Sequence, residues 1–433
     1  MFSVFRNAWK VPELRKKILY TLLIILVFRI GCHVPVPFID PSAVSDMFSD
    51  GNFLSYMDTL TGGALSQSTL FSLSIQPYIN ASIIVQLLTY ALPPLENLQK
   101  EGESGRKKLQ KISSFVALAI AVVMSYAYFL TLRNQGALQY SSGAAGVFTG
   151  IVIVLSFTAG ASIVVWLGNR INEHGIGNGI SMILFAGIVS RGPSAILKML
   201  RAGEIDKKYY LVAPLILLIF IAMIGFIVFM NESERRIPIQ YAKRVVGRKQ
   251  YGGQSTHIPI KIAMSGVMPI IFAMAIMSLP STLAMFKAPA ANPEGFWQKF
   301  YAGFINFFSY RSPWYAVLYF VLIIAFNYFY VSMQYNPIEI ANNLRQNNGG
   351  IPGRRPGKPT SDFIQRVLGK ITLVGAFFLG VIAIFPIFTS MAFPQLGIAM
   401  GGTSILIVVS VVLETVRTLE SQMMMRHHQG FLE

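Results

Sequence analysis

The 433-residue chain is 53% hydrophobic and only 13% charged, whereas roughly a quarter of the residues of an average soluble domain are charged. A soluble protein of this length has too little interior to bury so much apolar surface, so the composition excludes a soluble fold and indicates a membrane protein. The formal net charge is +17, and the basic residues that produce it lie between apolar runs. This pattern indicates that the charge sets the orientation in the membrane rather than binding nucleic acid. Cys32 is the only cysteine, so the chain can form neither an internal disulfide nor a cysteine zinc site.

Ten apolar runs have the length of about 20 residues that a transmembrane helix needs. They are residues 18–36, 73–92, 112–132, 147–168, 179–199, 209–230, 262–285, 313–335, 371–391 and 400–419. Residues 1–17 are basic and polar, and no small-residue cleavage site follows, so we expect a retained cytosolic segment rather than a signal peptide. The sequence thus predicts an all-α polytopic membrane protein with ten transmembrane helices.

The distribution of Lys and Arg predicts the orientation of these spans. With the N-terminus inside, the inner segments carry 26 basic residues and the outer segments carry 9. Cytosolic loops are enriched in Lys and Arg, so this split favours ten spans with both termini in the cytosol. The exception is 191–210, which places five basic residues on the outer side.

One apolar-looking stretch, residues 54–71, contains too many polar groups for a lipid-exposed span. It carries Asp58, three Thr, three Ser, Gln67 and the pair Gly62-Gly63. Each polar group left unsatisfied in lipid costs several kcal/mol, so the segment must lie against protein or water. Two structures remain open at this point: a re-entrant half-helix, or an ordinary external loop or hairpin.

The sequence offers little chemistry to an enzyme, and we expect no catalytic residue, no metal site and no cofactor. None of the five histidines stands at metal-ligand spacing from another ligand. The glycine-rich stretch after His174 lacks the spacing and the lysine of a phosphate loop. Ionisable residues are scarce at mid-membrane depth, and this scarcity argues against an ion-coupled carrier. Arg29 lies toward the outer part of the first span, where we expect it to bind loop carbonyls or headgroups, and Glu414 lies near the inner end of the last.

Two long basic segments, residues 231–261 and 336–370, are the main cytosolic features. Each is far longer than a connection between neighbouring helices requires, and each combines Pro and Gly turns with clustered Arg and Lys. Their charge could simply follow the membrane orientation, but their length favours docking of an anionic partner: lipid headgroups, ribosomal RNA or an acidic protein surface.

Aliphatic residues recur at helical spacing inside two spans. Ile75, Ile79 and Ile83 stand at i, i+4 and i+8, and Ile180 and Leu184 repeat the i, i+4 spacing. Taken singly, each of them is better explained by ordinary lipid or helix contact.

Seven ordered blocks resemble the SecY family of bacterial protein-conducting channels, and the similarity extends over essentially the whole chain. The blocks are QPYINASIIVQLL (76–88), EGESGRKK (101–108), WLGNRINEHGIGNGISM (166–182), RRIPIQYAKR (235–244), YGGQSTHIPIK (251–261), IPGRRPG (351–357) and GGTSILIVV (401–409).

The resemblance implies ten helices in two pseudo-symmetric halves arranged as a clamshell. The implied organisation is a cytosolic segment 1–17, an N-terminal half 18–199, a C-terminal half 200–425 and a tail 426–433. Residues of about 54–71 are then the plug, a re-entrant half-helix that closes the outer funnel. Its glycines and hydroxyls suit a segment that packs in an aqueous vestibule and moves out of it. The plug residues singled out are Asp58, Gly62, Gly63 and Ser66.

The resemblance also places a pore ring on six aliphatic residues. They are Ile75, Ile79, Ile180, Leu184, Ile271 and Ile407. Such a ring forms a narrow dry constriction that water and ions avoid, yet offers no hydrogen bonds to hold a passing polypeptide. A lateral exit between spans 2–3 and 7–8 would release apolar signal sequences to lipid, which gains roughly 0.8 kcal/mol per buried CH₂.

The implied partners are the SecE and SecG subunits, the SecA ATPase or a ribosome as motor, secretory and membrane preproteins as substrates, and membrane lipids, with SecDF and YidC as further partners. The basic residues matched to motor or ribosome docking are Arg236, Lys243, Arg244, Arg248, Lys249, Arg354 and Arg355. The implied location is the bacterial plasma (inner) membrane.

The leading hypothesis is therefore a passive polypeptide channel driven by partners. A ten-helix small-solute transporter with an inverted repeat is the alternative, but it would place polar ligands at mid-membrane depth and needs no long basic segments. An intramembrane enzyme lacks a catalytic pair.

Overall fold

The structure is a computed structural model that describes residues 2–45, 48, 53–205, 209–241, 244–246, 249–251, 255–286, 295–309, 312–393 and 402–429. The helices are α1 (Phe2–Lys10), α2 (Pro12–Gly31), α3 (Pro41–Ser45), α4 (Phe53–Leu60), α5 (Gln76–Ala91), α6 (Pro93–Lys100), α7 (Glu103–Asn134), α8 (Gly143–His174), α9 (Gly179–Ile205), α10 (Tyr209–Glu232), α11 (Met268–Phe286), α12 (Phe296–Phe307), α13 (Pro313–Gln334), α14 (Pro337–Gln346), α15 (Lys358–Ala392) and α16 (Gly402–Gln429). The strands are β1 (Glu234–Tyr241), β2 (Arg244–Val246), β3 (Lys249–Tyr251), β4 (Ser255–Lys261) and β5 (Gly349–Gly350).

Each of the ten predicted spans coincides with one of these helices, because an unbroken apolar run in lipid must satisfy its backbone internally. Among the described residues, seven helices are long and apolar enough to cross a membrane, or eight if α5 and α6, bent by 100° at their junction, form one span. Helices α2 and α16 also occupy predicted spans, but both carry charged residues: Arg15 and Lys16 lie near the start of α2, and Arg417 lies within α16.

The helices differ from the apolar runs mainly at their ends. α2 stops at Gly31, five residues before the predicted boundary at residue 36, because the chain turns after Cys32 and Pro35 pairs with Thr69. α15 begins at Lys358, well before its apolar run, and continues for 35 residues. Helical hydrogen bonding therefore extends from the membrane-spanning residues into polar flanks that hydropathy assigns to loops.

The described residues divide into two compact units. The first comprises Met1–Leu217, Ala275–Ala316 and Pro386–Glu433, and the second comprises Leu218–Met274 and Val317–Phe385. In the first unit α7 packs against α5 and α8, α9 packs against α8 and α16, and α1 packs on α16. A small buried cluster of Ala8, Leu14, Ile176 and Leu419 fixes α1 to this unit. The two halves predicted from the resemblance, 18–199 and 200–425, stay a prediction.

The second unit contains a small sheet that the sequence had not suggested. β1 pairs antiparallel with β4 over seven residue pairs and with β5 over two, in the order β4-β1-β5. β1 and β4 belong to the basic segment 231–261, and β5 belongs to the segment 336–370. The mainly helical class is confirmed, and the sheet joins two segments that sequence reasoning had treated as separate loops.

Candidate functional site

The polar segment 54–71, named the plug segment here, is buried among helices of the first unit. It begins with α4, and residues 57–65 are all buried. α4 ends at Leu60 and is followed by turns, so only the first part of the predicted half-helix is helical. The helix ends here because Gly62 and Gly63 adopt φ angles of 71° and 91°. Glycine adopts this left-handed backbone region more readily than other residues do. The amide of Gly63 donates to the carbonyl of Asp58 at 2.9 Å, which closes the helix.

An ion pair fixes the beginning of the plug segment to α9. The Asp58 carboxylate pairs with the Arg191 guanidinium, and its other oxygen accepts the Ser66 amide at 2.8 Å. Arg191 also donates to the Ser66 hydroxyl at 3.2 Å. The side chain of Asp58 is 8% exposed and that of Arg191 is 31% exposed, so the carboxylate is the more deeply buried partner. We name the contacts among Asp58, Ser66 and Arg191 the plug latch.

The neighbouring glycines make room for two guanidinium groups. A Cβ on Gly62 would lie 2.6 Å from Arg29 Nη1, and one on Gly63 would lie 2.9 Å from Arg191 Cζ. Arg29 donates to the Gly62 carbonyl at 3.3 Å, which confirms the expectation that this arginine binds a loop carbonyl. Gly187 on α9 permits an equally close approach, since a Cβ there would lie 2.6 Å from the Leu60 carbonyl oxygen.

The end of the plug segment is tied to α7 and to the chain after α2. The Tyr128 hydroxyl donates to the Leu65 carbonyl at 2.9 Å and lies 3.1 Å from the Ser68 hydroxyl. The amides of Val36 and Leu70 join the two segments, donating at 3.1 Å to Ser68 and at 2.9 Å to Val34, respectively. These hydrogen bonds satisfy polar groups that lipid could not satisfy. Water could satisfy the same groups, so water could replace the contacts that hold the segment.

The six predicted ring residues all stand at or near the beginning of a helix. Ile75 precedes α5 and Ile79 lies in its first turn, while Ile180 and Leu184 open α9. Asn178 positions the start of α9, because its side chain accepts the Ile180 amide at 3.1 Å. Ile407 lies in the second turn of α16, which packs against α9.

Five of the ring residues belong to the first unit. Four of them are at most 7% exposed, namely Ile75, Ile79, Leu184 and Ile407, and Ile180 is half-buried. Ile271, in the first turn of α11, belongs to the second unit and is half-buried.

The two basic segments form one folded structure, which we call the basic module (residues 231–261 and 336–370). Its members share a buried aliphatic core that includes both segments and the start of α15: Ile237, Ile239, Ile260, Leu344, Ile351, Ile364 and Leu368. β1 alternates between this core and solvent, so Ile237 and Ile239 point inward while Arg236 is exposed. The basic residues are therefore presented on a packed scaffold.

The predicted docking residues lie at several places on the module. Arg236 donates to Glu234 at 2.7 Å. Arg354 is exposed, with its guanidinium 5.2 Å from the ring centroid of Phe363, which restricts its orientation. Arg355 is exposed in the turn before α15, where its carbonyl accepts the Thr360 hydroxyl at 2.8 Å.

The remaining predicted docking residues lie in the β2–β3 region. Arg244 belongs to β2 and pairs with Tyr251, and Lys249 belongs to β3 and pairs with Val246, at the other end of this short antiparallel hairpin. Lys243 and Arg248 lie outside the described residues.

The sequence did not predict two residues that contact the plug segment, Arg191 and Tyr128, nor the sheet of the basic module. Arg191 was counted only among the basic residues on the unexpected side, and nothing in its spacing linked it to Asp58. Tyr128 carries no local signal either. The sheet did have a signal, because RIPIQY and HIPIK alternate apolar and other residues with a period of two.

Comparison with known proteins identifies this arrangement. The fold matches the solved structure of a protein-conducting channel with a TM-score of 0.63 over 96% of both chains at 18% identity. Sec61 in the canine ribosome–channel complex gives a TM-score of 0.62 over 96% of both chains at 18% identity. A curated protein translocase subunit SecY from Streptomyces griseus is 40% identical over the full length of both chains, and one from Mycobacterium bovis is 38% identical.

A helical membrane bundle with a buried polar plug segment defines the class of protein-conducting channels. The SecY family model matches residues 69–416, and the chain belongs to the SecY family. The predicted family and the predicted role as a translocase channel subunit are confirmed, and the alternative of a small-solute transporter is not supported.

Proposed function

We propose that the chain is the pore-forming subunit of a Sec translocon, a passive channel that passes unfolded secretory polypeptides and releases apolar segments laterally into lipid. The observation that carries this proposal is the plug segment, which is polar and turn-rich yet buried among membrane helices. Its hydrogen bonds to Tyr128, Val34 and Val36 and its ion pair to Arg191 are contacts that water can replace. A permanent core would be apolar, so this chemistry suits a segment that leaves its site.

The six aliphatic residues would form the constriction through which the polypeptide moves. Their branched side chains would exclude water and could form no hydrogen bonds with a passing polypeptide. The six residues are Ile75, Ile79, Ile180, Leu184, Ile271 and Ile407. Their positions at helix starts favour this role, because the first turns of several helices can meet at one depth of the membrane. The energy would come from a partner, and the chain itself would be a channel and no enzyme.

The basic module would dock that partner at the cytosolic face. The planar guanidinium of arginine can bind a carboxylate or a phosphate through two parallel hydrogen bonds. The proposed partners are therefore the SecA ATPase, through its carboxylates, or a ribosome, through its RNA phosphates. Solved channels of the same fold include ribosome-bound complexes, which supports the ribosome as one partner. SecE and SecG would complete the complex, with SecDF and YidC as further partners, in a bacterial plasma membrane with both termini in the cytosol.

The path of the polypeptide can be tested by disulfide formation. We expect a cysteine at position 79, in a Cys32→Ser background, to form a disulfide with a single cysteine in the mature part of a secretory protein stalled in transit. The matched control is Ile84→Cys on the same helix, because Ile84 is 43% exposed on the helix surface. The disulfide should require stalling. Equal cross-linking at positions 79 and 84, or none at 79 with an engaged substrate, would place the path elsewhere.

Docking can be tested by reversing one charge. Arg355→Glu should lower motor-driven translocation about tenfold, since it replaces a charge-assisted contact by repulsion worth about 1.4 kcal/mol or more. Insertion and assembly of the complex should be unchanged, because Arg355 is exposed and packs against none of the module's core. The matched control is Arg345→Glu, also exposed, in α14 of the same module. An unchanged translocation rate in the Arg355 variant, measured in reconstituted vesicles, would remove the docking role.

A further inference from the structure

A cavity of about 630 Å³ lies between α7 and α8 at the end where these helices are connected. We call it the α7–α8 groove. Three residues at i, i+3 and i+7 on one face of α7 line it: Tyr126, Phe129 and Arg133. The opposite wall is the beginning of α8, and the connection contributes Leu138, Ser141 and Ser142. Every lining residue belongs to the first unit.

The groove exists because α8 carries glycine where α7 carries an aromatic ring. A Cβ on Gly150 would lie 2.9 Å from Phe129 Cζ, so this position has no room for a larger side chain. Gly146 and Gly143 lie one and two turns earlier, so α8 presents no side chain at these three positions, and the Phe129 ring, only 8% exposed, forms the floor of the groove. The larger residues Val147, Ile151 and Leu155 form its open edge and are 54–66% exposed.

The groove has the length of one leaflet of a bilayer. Its α8 wall runs from Gly143 to Leu155, and at 1.5 Å per residue this distance is about 18 Å. Half of the hydrocarbon core of a bilayer measures about 15 Å. An acyl chain that enters from the connection end would therefore reach close to the midplane along an apolar wall.

The polar groups of the groove are concentrated at its connection end. Arg133 closes α7 there, beside the hydroxyl-bearing Ser141 and Ser142, and no carboxylate is among the lining residues. Arg133 is exposed, and the described residues give it no ion pair. A guanidinium with neighbouring hydroxyls and no acid complements a phosphate that carries net negative charge.

We propose that the α7–α8 groove binds one anionic phospholipid, with its phosphate on Arg133 and an acyl chain along Phe129, Gly150 and Leu155. In the predicted orientation this lipid belongs to the outer leaflet. The site is separate from the plug latch and the pore ring, and it does not depend on the proposed transport function. Its occupant is a lipid rather than a protein helix, because the charge stands at headgroup depth and the apolar wall covers a single leaflet.

The full-length chain, purified with the subunits that accompany it, can be tested by native mass spectrometry with phosphatidylglycerol and phosphatidylcholine. The unmodified protein should retain one phosphatidylglycerol more tightly than phosphatidylcholine. Arg133→Gln should weaken phosphatidylglycerol binding about tenfold and leave phosphatidylcholine binding unchanged, because only the charge contact is lost. Ile151→Trp, which fills the groove, should weaken binding of both lipids.

Two matched controls keep this test specific. Arg201→Gln removes a cation on the same predicted side of the membrane, and Ile163→Trp enlarges a residue of α8 that is 41% exposed outside the groove. Neither should change lipid retention. The proposal is overturned if Arg133→Gln retains phosphatidylglycerol like the unmodified protein, or if it loses both lipids equally. It is also overturned if Ile151→Trp leaves lipid binding intact but releases an accompanying subunit, because a protein helix would then occupy the groove.

Discussion

Replacing Arg191 by Gln should make the resting channel conduct ions. The substitution leaves the Asp58 carboxylate buried, at 8% exposure, without its cationic partner. Breaking a buried ion pair from one side costs about 3–5 kcal/mol. This cost destabilises the seated plug segment in the closed state, so the ratio of displaced to seated plug should rise by roughly two to four orders of magnitude. The measurement is single-channel conductance of the reconstituted complex without substrate.

The two sides of the plug latch should not be equivalent. Asp58→Asn leaves Arg191 without a carboxylate, but this guanidinium is 31% exposed and water can solvate it. We therefore expect Asp58→Asn to leak less than Arg191→Gln, and the double variant to leak less than Arg191→Gln, since it removes the buried charge. Arg201→Gln, a cation on the same helix, is the control and should stay closed. A double variant that leaks as the sum of both single variants would show that the two side chains act independently.

The plug latch explains a departure from the orientation rule. The segment 191–210 places five basic residues on the predicted outer side, where basic residues are normally few. Arg191 is one of them, and the structure gives it a structural partner in Asp58. A charge retained for a specific contact carries no information about topology, so Arg191, one of these five residues, does not argue against the predicted orientation.

The sequence was sufficient for the features that depend on local composition. Each of the ten apolar runs located by hydropathy falls on a helix, because an apolar run must be helical in lipid, and polar content singled out residues 54–71. The two glycines that end α4 were recognised for their backbone freedom, although they were not expected to shorten the helix to Leu60. Arg29 was expected to bind a carbonyl, and it does.

Several of the contacts that were missed join residues distant in sequence. Asp58 and Arg191 are 133 residues apart, and Leu65 and Tyr128 are 63 apart. β5 joins β1 from a segment about 110 residues later. Neither periodicity nor composition reports such pairings, because each partner alone has an ordinary explanation. The roles of the ring residues came from family resemblance alone, since an isoleucine that faces a pore has the same local pattern as one that faces lipid.

The ring hypothesis predicts a second leak with a different chemical cause. Ile79→Gly together with Ile180→Gly should raise the resting conductance, because both changes remove branched side chains and widen a dry constriction until water enters it. The plug latch is untouched in this variant, so the increase isolates the contribution of the ring to the seal.

The control for the ring must lose the same amount of helix propensity without touching the ring. Ile84→Gly with Val189→Gly meets this condition, because both residues lie on the same two helices, α5 and α9, and are 43% and 44% exposed. Each glycine costs about 1 kcal/mol in a helix, so both double variants should lose similar helix propensity. Only the first should conduct. If both variants leak equally, the leak reports weakened helices, whereas background conductance in the first would remove Ile79 and Ile180 from the seal. Combining the ring variant with Arg191→Gln then compares the two contributions, and the combined variant should conduct more than either one alone.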